Sequence, residues 1–233
     1  MSTKSPKTKT NGKSKALHVG LLIDESGSML GMETAVVGGI NEFVEKLRAE
    51  EDKTKVLATL GSFDRHGHDP VVRYAYAGIP LDEVDVLPPE FYRPRGATPL
   101  NDAVVGTIRR IEAAKGAGHR AILVILTDGL ENASETSSRK VGKLIAEKEA
   151  DGWEFIYLGA NQDSWADSGQ ISVAPRGKKF DFEATAEGTR SALRHSAARV
   201  SRYREAPEEY RAELDQMGDS IREDGRVERK RPG

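Results

Sequence analysis

The sequence predicts a doubly wound α/β fold, with helices on both faces of a mostly parallel central sheet and one antiparallel edge strand. Two observations predict it. Continuous apolar runs at 17–23 and 121–127 are typical of central strands that are covered on both faces. Segments with helical periodicity alternate with further strand-like segments along the chain, which is typical of this three-layer arrangement.

Four further strands complete the predicted sheet. The segments 55–63 and 153–158 are apolar enough for interior strands, whereas 71–77 alternates between apolar and polar residues and fits an edge. The turn DRHGHDP between 55–63 and 71–77 is short, so we expect these two strands to form an antiparallel hairpin. A last short strand is predicted at 170–174.

Stripes of apolar residues at helical spacing lie between these strands. The predicted helices cover 32–50, 100–115, 136–150 and 181–204. Asp181 is the expected N-cap of the last of them. A further helix is expected to begin at Pro207, because proline is well suited to the first turn of a helix.

The chain is expected to have three parts. Residues 1–15 are polar and rich in lysine and lack apolar periodicity, which predicts a disordered arm. Residues 16–204 form the predicted α/β domain. Residues 205–233 form a charged helical extension and tail without a basic patch.

Composition argues against several classes of function. The 233 residues include no cysteine, which excludes disulfides and a thiolate zinc site and fits a reducing compartment. We see neither a secretory leader nor a run of 18 apolar residues, so we expect a cytoplasmic protein without a membrane span. Outside the lysine-rich arm, the chain has 30 basic and 37 acidic residues. This net negative charge argues against nucleic-acid binding.

The stretch DESGSM at 24–29 follows the first apolar strand, where ligands bind in open α/β sheets. A phosphate-binding loop would need several glycines and a lysine, and this stretch has no lysine. A serine-nucleophile elbow would need glycine at the position of Asp24 and a histidine base nearby. None of the five histidines is well placed for that role.

A hard divalent cation suits these residues better. Mg²⁺ prefers oxygen ligands, which Asp24, Ser26 and Ser28 offer. Residues two apart in an extended turn can point the same way, and we expect Gly27 to let the backbone bend tightly between the serines. Three side chains cannot complete the coordination, so other loops must contribute.

Two other loops offer oxygen ligands at the same edge of the sheet. RGATPLND at 95–102 precedes a helix and contains Thr98, and LTDGLEN at 126–132 ends the most apolar strand and contains Asp128. Taken singly, each motif is better explained by a helix cap, a helix start or a plain turn. The combination of all three at the ends of predicted elements favours a metal site.

The pattern Asp24-x-Ser26-x-Ser28, followed by Thr98 in GATPL and Asp128 in TDG, resembles the metal-ion-dependent adhesion site (MIDAS) of von Willebrand factor A domains. The resemblance covers roughly residues 16–204 and implies a Rossmann-like fold. It implies that Ser26 and Ser28 bind the ion directly, and that the other three residues bind directly or through water.

The resemblance also implies a partner. In this family an acidic side chain of a partner protein typically completes the coordination of the ion. We therefore expect a protein-binding module that is not an enzyme, with Mg²⁺ as the ion and Mn²⁺ or Ca²⁺ as alternatives. The lack of cysteine and of a leader resembles the stand-alone intracellular versions found in bacteria and their viruses.

Residues around the five predicted ligands have expected supporting roles. Asp102 is expected to support the site through hydrogen bonds, and Gly129 to lie at its rim beside Asp128. Met29 and Leu30 either contact a partner beside the ion or pack at the helix entry, and the sequence leaves both interpretations open. The two histidines of DRHGHD at 64–69 are interpreted as part of a polar hairpin turn.

Two alternative functions remain at this point. A hydrolase could use the same ion to act on a phosphate, although the sequence offers no general base, and Arg93 and Arg95, shortly before Thr98, are the only nearby candidates for binding a phosphate. A nucleic-acid accessory protein could act through the lysine-rich arm.

Overall fold

A computed structural model describes residues 16–51, 54–114, 116, 119–160 and 179–217. The lysine-rich arm at 1–15, the strand predicted at 170–174 and the tail beyond 217 lie outside these residues. Within the described ranges, no helix combines the length and the apolar character needed to cross a membrane.

The described strands form one six-stranded sheet. They are β1 (Ala16–Asp24), β2 (Lys55–Phe63), β3 (Val72–Pro80), β4 (Arg120–Thr127), β5 (Trp153–Ala160) and β6 (Lys179–Phe182). The spatial order is β3-β2-β1-β4-β5-β6. Neighbouring strands are parallel except for β2 and β3, which form the predicted antiparallel hairpin at one edge.

Helices cover both faces of this sheet. They are α1 (Glu33–Arg48), α2 (Leu100–Ala114), α3 (Ser138–Ala150), α4 (Ala186–Glu205) and α5 (Pro207–Met217). Helices α1 and α4 share one buried apolar cluster with the sheet, and α2 and α3 share the other. The predicted doubly wound, three-layer α/β/α fold is therefore confirmed, including the helix that begins at Pro207.

Strand β1 is buried along its whole length because its side chains alternate between the two cores. Leu17, Leu21 and Ile23 pack in the cluster with α1 and α4. Leu22 packs in the cluster with α2 and α3. This two-sided burial explains why the strand is a continuous apolar run in the sequence.

The prediction for the start of α4 is wrong. Asp181 lies inside strand β6 and does not cap a helix. Phe180 and Phe182 on either side of it are buried while Asp181 is exposed, so the segment has the two-residue period of a strand. The true N-cap is Thr185, whose hydroxyl accepts a hydrogen bond of 3.0 Å from the amide of Gly188.

The order of the strands changes direction at β1. From β1 the chain crosses to β2 on one side, and after β3 it crosses back to β4 on the other side. Ile23 of β1 pairs with Leu126 of β4, so these two strands end at the same level. Ligands of open α/β sheets bind at such a switch point, beyond the carboxyl ends of the strands.

Candidate metal centre

The turn after β1 places two serine hydroxyls side by side. Ser26 is extended, with φ −69° and ψ 164°, and Gly27–Met29 form one turn of 3-10 helix. The amide of Ser26 donates a hydrogen bond of 2.8 Å to Asp24 Oδ1. The hydroxyl oxygens of Ser26 and Ser28 lie 3.0 Å apart, so the two side chains point the same way, as predicted.

Asp128 meets this serine pair from the end of β4. Ser28 Oγ donates a hydrogen bond of 2.7 Å to Asp128 Oδ1. Ser28 is exposed and Asp128 is partly buried, so this side of the cluster faces solvent. A ligand could therefore approach the cluster without displacing any of the core.

Gly129 marks the point on which the other oxygens converge. A Cβ atom at this position would lie 2.9 Å from Thr98 Oγ1 and 3.5 Å from both Asp24 Oδ2 and Ser28 Oγ. Any side chain here would therefore crowd the space between the three oxygens. Together with the contacts of Ser26 and Asp128, this convergence brings all five predicted metal residues into one cluster.

Gly27 is explained by a close approach of two backbones, which differs from the tight bend expected for it. Its φ is not among the positive values found at the turn glycines. Its amide donates a hydrogen bond of 2.9 Å to the carbonyl of Gly96. A Cβ at Gly27 would lie 3.3 Å from the carbonyl oxygen of Arg95, so a larger residue would push the two loops apart.

Asp24 is completely buried at the floor of the cluster. Burial raises its pKa to about 7, against the opposing effect of the hydrogen bonds that it accepts from Thr127 Oγ1 and from the Ser26 amide. Burial also raises the pKa of Asp128, although the hydrogen bond from Ser28 opposes the shift. Burial thus disfavours the ionised form of both carboxylates, and a bound cation would stabilise that form.

The five residues offer two carboxylates and three hydroxyls, an all-oxygen set that fits a hard divalent cation such as Mg²⁺. Across the residues that the structure describes, no three His, Cys, Asp or Glu side chains are grouped closely enough to hold a metal by themselves. A cation at this site would therefore depend on the hydroxyls of Ser26, Ser28 and Thr98 as well as on the two carboxylates.

Asn132 positions Thr98, a role that the sequence analysis did not assign. Asn132 Oδ1 accepts a hydrogen bond of 2.8 Å from the amide of Thr98. The amide of Asn132 in turn donates one of 3.1 Å to the carbonyl of Thr98. These two bonds fix the backbone of Thr98 against the loop that follows β4. Because Asp128 belongs to the same loop, the bonds also fix the position of Thr98 relative to Asp128.

Asp102 makes hydrogen bonds of the kind expected of it, and they connect two loops near the cluster. Its carboxylate accepts hydrogen bonds of 2.9 Å from the amides of Glu135 and Thr136 and forms an ion pair of 3.0 Å with Arg65. Burial opposes its ionisation, but these hydrogen bonds and the Arg65 charge outweigh burial and lower its pKa. Asp102 therefore ties the start of α2 to the loop after β4.

Glu131 strengthens the same connection. Its Oε2 accepts a hydrogen bond of 2.7 Å from the amide of Asn101 in the first turn of α2. Its Oε1 accepts hydrogen bonds from the amides of Ala133 and Ser134. A carboxylate at a helix N-terminus satisfies free amides and complements the helix dipole.

Glu25, at the first variable position of the D-x-S-x-S motif, is another residue that sequence reasoning missed. Its side chain is buried, and both carboxylate oxygens lie within 2.7 Å of Arg73 Nη2. The amide of Arg93 also donates to this carboxylate, and the amide of Arg95 donates to the Glu25 carbonyl. Glu25 thus connects the serine turn to the loop that leads to Thr98.

The other residues that the sequence left open are now placed. Met29 is buried and packs in the core, whereas Leu30 is 64% exposed. The turn at 64–69 is held by Arg95 from the loop that leads to Thr98. Arg95 forms ion pairs of 3.0 Å with Asp64 and 2.7 Å with Asp69, the first and last residues of the turn. These carboxylates therefore already have a cationic partner.

Comparison with known proteins gives matches in structure alone. No protein-family model and no curated protein matches the chain. Among solved structures, the pilus adhesin SpaC from Lactobacillus rhamnosus GG superimposes with a TM-score of 0.61 and 15% identity, covering 79% of this chain and 30% of the adhesin. At this identity the likeness shows a shared fold.

Two further structures have the same fold. Proximal thread matrix protein 1 from the mussel byssus, in a form with a zinc-occupied MIDAS motif, matches with a TM-score of 0.53 and 12% identity over 79% of this chain and 46% of that protein. The SpRpn10 VWA domain matches with a TM-score of 0.51 and 9% identity over 76% of this chain and 94% of that domain. The chain spans less than half of the mussel protein and nearly all of the VWA domain. These comparisons show that the chain has a von Willebrand factor A-like α/β fold.

Proposed function

We propose that this chain is a protein-binding module that acts through a divalent cation, Mg²⁺ by preference, with Mn²⁺ or Ca²⁺ as alternatives. Asp24, Ser26, Ser28, Thr98 and Asp128 would hold the ion. When bound, the ion would supply a positive charge to which an Asp or Glu of a partner protein could bind. The cation class is supported by the zinc-occupied MIDAS motif of the mussel protein with the same fold.

The observation that carries this proposal is the convergence of oxygens around Gly129. Thr98 Oγ1, Asp24 Oδ2 and Ser28 Oγ all lie within 3.5 Å of the position that a Cβ of Gly129 would occupy. Ser28 faces solvent while Asp24 is buried, so the cluster has a closed floor and an open side. Such a site could hold an ion firmly and still present it to a second molecule.

We also propose that the chain is not an enzyme. Phosphate hydrolysis would need a free cationic group near the ion, and Arg93 and Arg95 are the candidates from the sequence. Arg95 is already paired with Asp64 and Asp69, and Arg93 Nε donates to the carbonyl of Glu90. Both arginines therefore have structural contacts. The cytoplasmic location and the bacterial or viral source expected from the sequence stay predictions.

The proposal can be tested by affinity capture with the wild-type chain and the Asp128→Ala variant, each in Mg²⁺ and in chelator. We expect a partner that the wild type retains in Mg²⁺, that chelator releases, and that the variant does not retain. Replacing one acidic residue of that partner by its amide should abolish binding. Retention that is equal in chelator and in the variant would contradict the proposal.

A further inference from the structure

Two turns hold the backbone of the loop that leads to Thr98. On one side, Ser26 in the turn after β1 forms an isolated parallel bridge with Gly96. On the other side, the amide of Arg65 in the turn between β2 and β3 donates a hydrogen bond of 3.0 Å to the carbonyl of Ala97. The amide of Ala97 donates one of 3.2 Å to the carbonyl of Arg65 in return. Because Thr98 directly follows Ala97, its position depends on the hairpin turn.

Gly96 permits this close approach. A Cβ atom at Gly96 would lie 2.7 Å from the carbonyl carbon of Arg65, and closer still to its oxygen. The φ of Gly96 is not among the positive values, so the close contact and not an unusual backbone conformation requires the glycine. Backbone atoms cannot turn aside as the end of a side chain can. Alanine at this position would therefore push the loop away from the hairpin turn.

The side chain of Arg65 also reaches the chain beyond Thr98. Arg65 Nη2 donates a hydrogen bond of 3.0 Å to Asp102 Oδ2 and forms an ion pair with it. Asp102 lies in the first turn of α2, which begins at Leu100, two residues after Thr98. Arg65 thus contacts the chain just before Thr98 through its backbone and just after Thr98 through its guanidinium group. Thr98 itself is a buried residue between these two contacts.

We propose that Arg65 is a positioning residue of the candidate metal centre, which holds the Thr98 hydroxyl where Mg²⁺ needs it. This inference rests on the proposed function. Mg²⁺ demands near-ideal octahedral geometry with bonds of about 2.0–2.1 Å, whereas Ca²⁺ accepts longer bonds in a more flexible arrangement. A displaced Thr98 hydroxyl should therefore weaken the binding of Mg²⁺ more than that of Ca²⁺. The β2–β3 hairpin supplies none of the five predicted ligands, and in this way it would still contribute to the choice of ion.

The proposal is tested by calorimetric titration of Mg²⁺ and, separately, of Ca²⁺ into the wild type, Arg65→Ala and Gly96→Ala. Arg65→Ala removes the contact with Asp102 and keeps the backbone hydrogen bonds, so the chain should still fold. The matched controls are two substitutions on α2. Arg109→Ala removes an exposed arginine, and Gly106→Ala adds a Cβ that would meet no atom within 4 Å.

We expect Arg65→Ala and Gly96→Ala each to weaken Mg²⁺ binding about tenfold, as is typical when a residue that orients a ligand is lost. Ca²⁺ binding should weaken less, so the ratio of the two affinities should fall, and both controls should match the wild type. An unchanged Mg²⁺ affinity in Arg65→Ala, or an equal loss for both ions, would overturn this inference and leave the proposed function intact. A wild type that binds no Mg²⁺ would count against both.

Discussion

Ser28 donates a hydrogen bond of 2.7 Å to Asp128 across 100 residues of sequence. The contact joins the turn after β1 to the turn after β4, two neighbouring parallel strands that end at the same level. The sheet therefore determines which residues form the candidate metal centre, since the strand order brings these two turns together.

Metal affinity should depend on pH through Asp24. Its pKa of about 7 means that half of the carboxyl groups are protonated near neutral pH in the metal-free protein. A cation needs the ionised form, so we expect the apparent affinity for Mg²⁺ to fall by up to about tenfold for each pH unit below 7. Calorimetric titrations between pH 5 and 8 would measure this fall in affinity, and an affinity independent of pH would contradict the prediction.

The same raised pKa predicts the opposite trend for the metal-free fold. As pH rises from the unfolded pKa to about 7, the unfolded chain loses the Asp24 proton before the folded chain does. Stability in chelator should therefore decrease over this interval, with a slope of at most about 1.4 kcal/mol per pH unit from this group. Urea unfolding at several pH values would measure it. Asp24→Asn should remove this part of the slope, and a wild-type slope that Asp24→Asn leaves unchanged would disprove the assignment.

Asn132→Ala should weaken metal binding without unfolding the chain. The substitution removes the oxygen that accepts from the Thr98 amide, so the Thr98 hydroxyl is no longer held beside Gly129. Losses of about 10- to 100-fold are typical when a residue that orients a ligand is removed. Asn41→Ala is a matched control, because Asn41 in the middle of α1 makes similar hydrogen bonds to the backbone of Leu87. Equal metal affinity in both variants would refute this role.

Glu25 should contribute to stability as well as to the site. Glu25→Ala leaves Arg73 and the Arg93 amide without their acceptor, and Arg73 is partly exposed, so water can replace part of the loss. We expect the free energy of unfolding to fall by about 2 kcal/mol. Glu25→Gln keeps an acceptor in place and should lose about half as much. Urea unfolding of both variants measures the difference, and equal stability of Glu25→Ala and the wild type would show that the contacts are unimportant.

Helix α5 should belong to the folded unit, which moves the expected domain boundary beyond 204. Tyr210 and Leu214 are buried in the core cluster with α1 and α4, and Arg211 donates a hydrogen bond of 2.7 Å to the carbonyl of Gly152. Truncation after Ala206 should lower the free energy of unfolding by about 3 kcal/mol, the scale of burying two such side chains. Truncation after Met217 is the control. Equal stability of the two truncated chains would show that α5 is dispensable.

The sequence predicted the sheet and the five oxygen-bearing residues because both have local signatures. Central strands such as β1 are continuous apolar runs, and the ligand-like residues directly follow them. The supporting residues have no such signature: Glu25 is recognisable only once the Arg93 amide, 68 residues away, lies beside it. Asn132 likewise acts on Thr98 from 34 residues away. Strand β6 was missed because four residues with a two-residue period are too short to distinguish from the start of a helix.

The central claim is that the cluster of Asp24, Ser26, Ser28, Thr98 and Asp128 binds a divalent cation. The most direct test is calorimetric titration of Mg²⁺ into the wild type and into the Ser26→Ala/Ser28→Ala double variant. A Ser191→Ala/Ser201→Ala variant, altered on helix α4, controls for the loss of two hydroxyls. We expect binding heat from the wild type and from the control that is absent in the double variant. The same heat from all three proteins would mean that the cluster does not bind the ion, and the claim would be wrong.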